Sequence, residues 1–136
     1  MGVQKDILLA EDNPADVTLL QHAVLEHGKL PWRIYRVRDG KAALAFLRQE
    51  GLFADMPCPA LVILDIRLSD LDGWQVLETM RTIPALATIP VVMLTGVMTR
   101  HDEEQREALQ PSACLVKPMN LEEYPQLVQA IEQLIP

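Results

Sequence analysis

Ala60-Leu61-Val62-Ile63-Leu64-Asp65-Ile66 is an unbroken apolar run, β-branched at Val62, Ile63 and Ile66 and interrupted by a single acid. A strand with one wet face would show a polar residue at every second position. A run without that alternation reads as a strand covered on both faces, as at the centre of a parallel sheet. Shorter runs of the same kind lie on either side: Ile7-Leu8-Leu9-Ala10 before it, and Ile89 with Val91-Val92-Met93-Leu94-Thr95, then Ala113-Cys114-Leu115-Val116, after it. Trp32, Ile34 and Val37 form a more exposed strand, with Arg33, Arg36 and Arg38 interleaved.

Helix-like segments separate these runs. Asn13 is a suitable N-cap, Pro14 fits the first helical position, and Asp16 follows three residues after the cap. Val17, Leu20 and Val24 keep the helical period until Gly28. Asp39-Gly40 opens a second helix with Ala43, Phe46 and Leu47 inside, and an irregular connection from Gly51 to Pro59 follows. Gly73 opens a third, with Val76, Leu77 and Met80 inside. Arg100 to Leu109 is weakly helical: only Ala108 and Leu109 are clear inner candidates, and Asp102-Glu103-Glu104 reads as a solvated helix start. A last helix, capped by Asn120, carries Leu121, Tyr124, Leu127, Ile131 and Leu134, and Pro125 makes its first turn irregular. Strand and helix thus alternate through five repeats, too few for an eight-stranded barrel. The expected fold is α/β: a doubly wound, flavodoxin-like parallel sheet of order 2-1-3-4-5, with helices on both faces.

The chain has 136 residues, enough for a single domain over 1–136. With 49% hydrophobic and 23% charged residues it is neither disordered nor in need of disulfide staples, and its two cysteines, Cys58 and Cys114, read as free thiols. Twelve Lys and Arg against 19 Asp and Glu give a net charge of −7, the wrong sign for a nucleic-acid surface. No apolar stretch approaches the roughly 18 residues of a membrane span. The N-terminus shows no secretory leader and no myristoylation pattern, so a cytoplasmic location is expected.

In such a sheet, ligands bind beyond the C-terminal strand ends. Those ends carry Glu11-Asp12, Asp65, Thr95 and Lys117-Pro118. Carboxylates crowded together repel one another, and an all-oxygen set with room for water suits Mg²⁺ or Mn²⁺. A carboxylate beside such a cation can attack phosphorus and form an aspartyl phosphate. Asp65, on the central strand, is the best nucleophile; Glu11 and Asp12 are then metal ligands, directly or through water. Thr95 and Lys117 can each engage a phosphoryl oxygen.

The chain resembles the receiver domain of two-component response regulators over nearly its whole length. The matching residues are Leu9-Ala10-Glu11-Asp12-Asn13, Leu64-Asp65 with Asp72-Gly73, Leu94-Thr95-Gly96, and Leu115-Val116-Lys117-Pro118. The resemblance implies that Asp65 accepts a phosphoryl group from a phosphohistidine of a sensor kinase. Glu11, Asp12, Asp65 and the backbone carbonyl of Arg67 would hold Mg²⁺, Thr95 would be the switch hydroxyl, and Lys117 its salt-bridge partner. It also implies a cis Lys117–Pro118 bond and an output surface on the fourth helix, fifth strand and fifth helix. Asn13-Pro14-Ala15-Asp16, the long connection from Arg48 to Pro59, and Ile89-Pro90-Val91-Val92 are similar to the stand-alone regulators that pair with bacterial phytochromes. That implies a homodimer and a light-sensing histidine kinase as partner. Two positions depart from the pattern: Cys114 stands where the family usually has an aromatic switch residue, and Ser69 where it often has proline. Arg67, two residues after Asp65, either holds the phosphoryl group or pairs with a carboxylate in the resting state.

The other functional classes fit less well. A phosphatase of the aspartyl-phosphate type would need an acid where Arg67 stands, and a dinucleotide binder a glycine-rich first turn. A turnover enzyme is therefore not expected. A degenerate receiver, binding partners without phosphate, is the remaining alternative. His22, His27 and His101 lack metal-ligand spacing, and Trp32 and Trp74 read as covers of hydrophobic surface.

Overall fold

The computed structural model describes residues 4–136. The expectation of no leader or lipid signal falls partly on Met1, Gly2 and Val3, outside the described residues. Five strands, β1 (Lys5–Ala10), β2 (Trp32–Val37), β3 (Leu61–Asp65), β4 (Val91–Thr95) and β5 (Ala113–Val116), form one sheet of order β2-β1-β3-β4-β5. Every neighbouring pair is parallel. The helices are α1 (Pro14–His27), α2 (Gly40–Leu47), α3 (Gly73–Thr82), α4 (Arg100–Leu109) and α5 (Tyr124–Glu132).

The pleat divides the central strands between two cores. Ile7, Leu9, Leu61 and Ile63 face α1 and α5, where they pack with Val17, Leu20, Leu127 and Ile131. Leu8, Ala10, Val62 and Leu64 face the opposite way, onto Phe46, Leu47, Val76, Leu77 and Met80 of α2 and α3. All five residues of β3 are buried, which is why the stretch reads as continuously apolar. The edge strand β5 is only partly covered.

The helix ends follow the caps. Asn13 accepts from Ala15 N at 2.9 Å, with Pro14 in the first turn of α1. Asp39 accepts from Ala42 N at the start of α2. Asp72 and Gln75 form a reciprocal capping box at α3. The turn into α3 admits only glycine at position 73, because a Cβ there would lie 2.6 Å from the carbonyl oxygen of Asp65.

Four expectations need correction. Among the described residues no peptide bond is cis, so Lys117–Pro118 is trans; the X–Pro preference for either isomer is small, and the surroundings decide it. α4 is a complete helix with its own capping box, between Thr99 and Asp102. Its inner side is not Ala108, which is exposed, but Asp102, which is buried, with Gln105 and Leu109 partly covered. A polar inner face escapes any reading based on apolar period. Finally, Leu121 is exposed and lies in a 3-10 turn, Leu121–Glu123, which precedes α5; Asn120 makes no side-chain cap. Pro125, in the first turn of α5, sets that irregular start.

Candidate functional site

The C-terminal ends of β1, β3, β4 and β5 bring the expected residues together. Glu11, Asp65 and Thr95 are buried, and Asp12 beside them is exposed. One carboxylate oxygen from each of Glu11, Asp12 and Asp65 lies within 4.8 Å of the others. Lys117 reaches over from the end of β5. Its Nζ donates to Asp65 Oδ2 at 2.7 Å and to Asp16 Oδ2 at 2.8 Å.

Glu11 Oε1 also lies 2.7 Å from Nζ, so the one ammonium is ion-paired to three carboxylates at once. Burial, followed by the neighbouring Asp65, pushes the Glu11 carboxyl up to about 7. Burial opposes the charge on Lys117, yet Asp16, Asp65 and Glu11 outweigh it and hold the ammonium well above the usual lysine range. The cluster therefore carries more negative charge than its lysine balances. An all-oxygen set of three clustered carboxylates, in excess over the one ammonium beside it, is what a hard divalent cation fits.

The loops are fixed by backbone contacts. Arg67 N donates to Asp65 Oδ1 at 2.9 Å and Asn13 N to Glu11 Oε2 at 3.2 Å, so each acid is aimed by the chain two residues on. Arg36, from β2, donates through Nε to the carbonyl of Glu11 at 2.9 Å and through Nη2 to that of Asp12 at 3.3 Å. It thereby holds the acidic turn from outside and adds positive charge behind it. Thr95 Oγ1 donates to Val97 O at 3.0 Å and so points along its own loop.

Several participants were not singled out from sequence. Asp16 looked like a helix-start acid, Arg36 like one of three exposed strand arginines, and Asp102 like a solvated charge. Asp102 is fully buried, and it accepts from Arg67, from Trp74 Nε1 at 3.0 Å and from Thr99 N at 2.9 Å. Arg67 thus takes the second of its two expected courses, pairing with a carboxylate. The Arg67 guanidinium holds the Asp102 carboxyl well below the usual carboxylate range, with help from Thr99 and Trp74. Trp74, read as a surface cover, is a buried hydrogen-bond donor. Only its Gly73 neighbour, near the rim, hinted at its place. Cys114 is partly buried on β5 with Sγ 3.5 Å from Met98 Sδ, and burial pushes its thiol up.

The acids and the lysine thus meet at one rim of an open parallel sheet, at the C-terminal ends of its strands. The chain belongs to the response regulator receiver domain family, which matches residues 7–131. Among its relatives is the response regulator Rcp1 of Synechocystis sp., 40% identical over 131 residues, spanning 94% of this chain and 86% of Rcp1. The crystal structure of the phosphorylated cyanobacterial phytochrome response regulator RcpA superposes with a TM-score of 0.88 at 38% identity, covering 98% of this chain and 94% of that one. The Mn²⁺-bound form of Rcp1 gives a TM-score of 0.85 at 38% identity, covering 95% and 92%. The family is one of two-component signalling proteins. Among the described residues, no helix is long and apolar enough to cross a membrane.

Proposed function

We propose that this chain is a phosphorylation-dependent receiver that accepts a phosphoryl group on Asp65 from a sensor histidine kinase and signals through its own surface. The observation that carries the reading is the Glu11–Asp12–Asp65 carboxylate cluster with Lys117 bound to Asp65. An Asp65 oxygen attacks phosphorus, an O–P bond forms, and the P–N bond of the donor phosphohistidine breaks with its electron pair returning to the imidazole. Glu11, Asp12, Asp65 and the Arg67 carbonyl would hold Mg²⁺, or Mn²⁺ in its place. When bound, the cation neutralises charge on the transferring group. Lys117 already sits against the oxygen of Asp65 opposite the one held by Arg67 N, placed to pair with a phosphoryl oxygen. Thr95 would rotate from Val97 O to donate to another. Water later attacks the same phosphorus, returning Asp65 and inorganic phosphate. The chain turns over only its own phosphate.

Similarity to RcpA, a phytochrome response regulator, supports a phytochrome-type kinase as the donor; a cytoplasmic location and a homodimeric signalling form belong to the same proposal. Val116, Met119 and Leu121, exposed at and beyond the end of β5, supply apolar surface for a second copy. The test is intact-mass spectrometry after incubation with acetyl phosphate and Mg²⁺. Wild type is expected to gain one phosphoryl mass and Asp65→Asn none. No gain in wild type, also with a phosphohistidine donor, would leave the phosphate-independent interaction module.

A further inference from the structure

Asp102 is the one residue of α4 that is buried among the described residues, and it is a charge. Nothing in the phosphoryl-transfer site uses it. Its two oxygens are fully occupied: Arg67 Nη1 donates to Oδ1 at 3.1 Å and Nη2 to Oδ2, Trp74 Nε1 donates to Oδ1, and Thr99 N donates to Oδ2. With no apolar residue of α4 buried, this bidentate pair is the main tether of its first turn to the β3–α3 loop. The tether begins two residues from Asp65, and the Arg67 amide already holds an oxygen of that carboxylate.

We propose that Asp102 is a positioning residue: with Trp74 it draws the Arg67 guanidinium away from Asp65 in the resting state, and phosphorylation of Asp65 reclaims that guanidinium and frees the start of α4. The inference rests on Asp65 being the phosphoryl acceptor. A phosphoryl group brings close to two negative charges and three acceptor oxygens, and guanidinium binds such oxygens bidentately. Half of the Arg67 side chain is exposed, so it can swing without unpacking a core. Asp102 is not left bare by the exchange, because Trp74 and Thr99 still donate to it; losing every partner would be far more costly. The same movement would change α4 without calling on an aromatic residue at position 114.

Trp74 reports the latch directly, since its indole N–H is bonded to Asp102. The experiment uses the full chain carrying Trp32→Phe, so that Trp74 is its only tryptophan. Phosphorylation by acetyl phosphate and Mg²⁺ is followed by intact mass, Trp74 emission and hydrogen exchange over residues 99–105. Phosphorylation is expected to shift the emission and speed exchange at the start of α4. Asp102→Asn is expected to raise the phosphorylation rate about fivefold, the scale of one partly screened charge made available to the anionic donor. Because a buried substitution can impair folding, Arg67→Gln is the second variant. Its emission and exchange should resemble those of the phosphorylated parent before any phosphate is added, and should not change afterwards. A mass gain with unchanged emission and exchange overturns the latch alone. So does an Arg67→Gln chain that still responds to phosphate. No mass gain overturns the acceptor reading and the latch with it.

Discussion

At the scale of single residues, the rim is governed by unbalanced charge. Glu11 titrates near 7 instead of near 4.5 because it is buried beside Asp65. Its proton is bound more tightly in the folded chain than in the unfolded one. The metal-free protein should therefore lose stability as pH rises from about 4.5 to about 7, and change little through this group above that. A divalent cation needs the ionised carboxylate, so Mg²⁺ affinity should fall about tenfold per pH unit below that value and level off above it. Calorimetric titration of Mg²⁺ at several pH values measures the slope, and Glu11→Gln should flatten it. Glu11, Asp12, Asp65 and Lys117 were legible in sequence because each ends a strand run. Asp16 and Arg36 were not, because a carboxylate in a first helical turn and an arginine on an exposed strand each have ordinary explanations. Only the approach of α1 and β2 to the rim shows what they touch.

At the scale of elements, the loop after β3 is built by close approach. Asp70 accepts from Gly40 N at 2.8 Å and Lys41 N at 3.0 Å, tying this loop to the start of α2. Gly73 N donates to the carbonyl of Ile66, and the missing Cβ lets α3 begin against the carbonyl of Asp65. The obstruction there is backbone, which cannot rotate away. Gly73→Ala should cost about 2 kcal/mol in chemical denaturation and slow phosphate uptake from acetyl phosphate by displacing Asp65; unchanged uptake would show that the loop absorbs the methyl group. Boundaries of α1, α2 and α3 followed from Asn13, Asp39 and Gly73, whose chemistry is local. α4 was misjudged because its inner face is held by Asp102, and no periodicity of apolar residues can reveal a helix attached by a charge.

At the scale of the whole molecule, the two cores share one sheet, so their stabilities are joined through β3. Ile63 is fully inaccessible and packs toward α1 and α5. Ile63→Ala should cost about 3 kcal/mol. It should lower the denaturation midpoint as a single cooperative transition, seen alike by Trp32 on one face and Trp74 on the other; separate transitions would mean that the faces unfold independently. The alternation of strand and helix, the fully buried run from Leu61 to Asp65 and the acids at strand ends determined the doubly wound sheet and the position of its acidic rim, since period and capping act over neighbouring residues. The grip of Asp16 on Lys117, the Arg36 clamp and the burial of Asp102 against Arg67 and Trp74 were decided by tertiary structure alone. Each depends on groups far apart in the chain, whose meeting is set by how the layers pack.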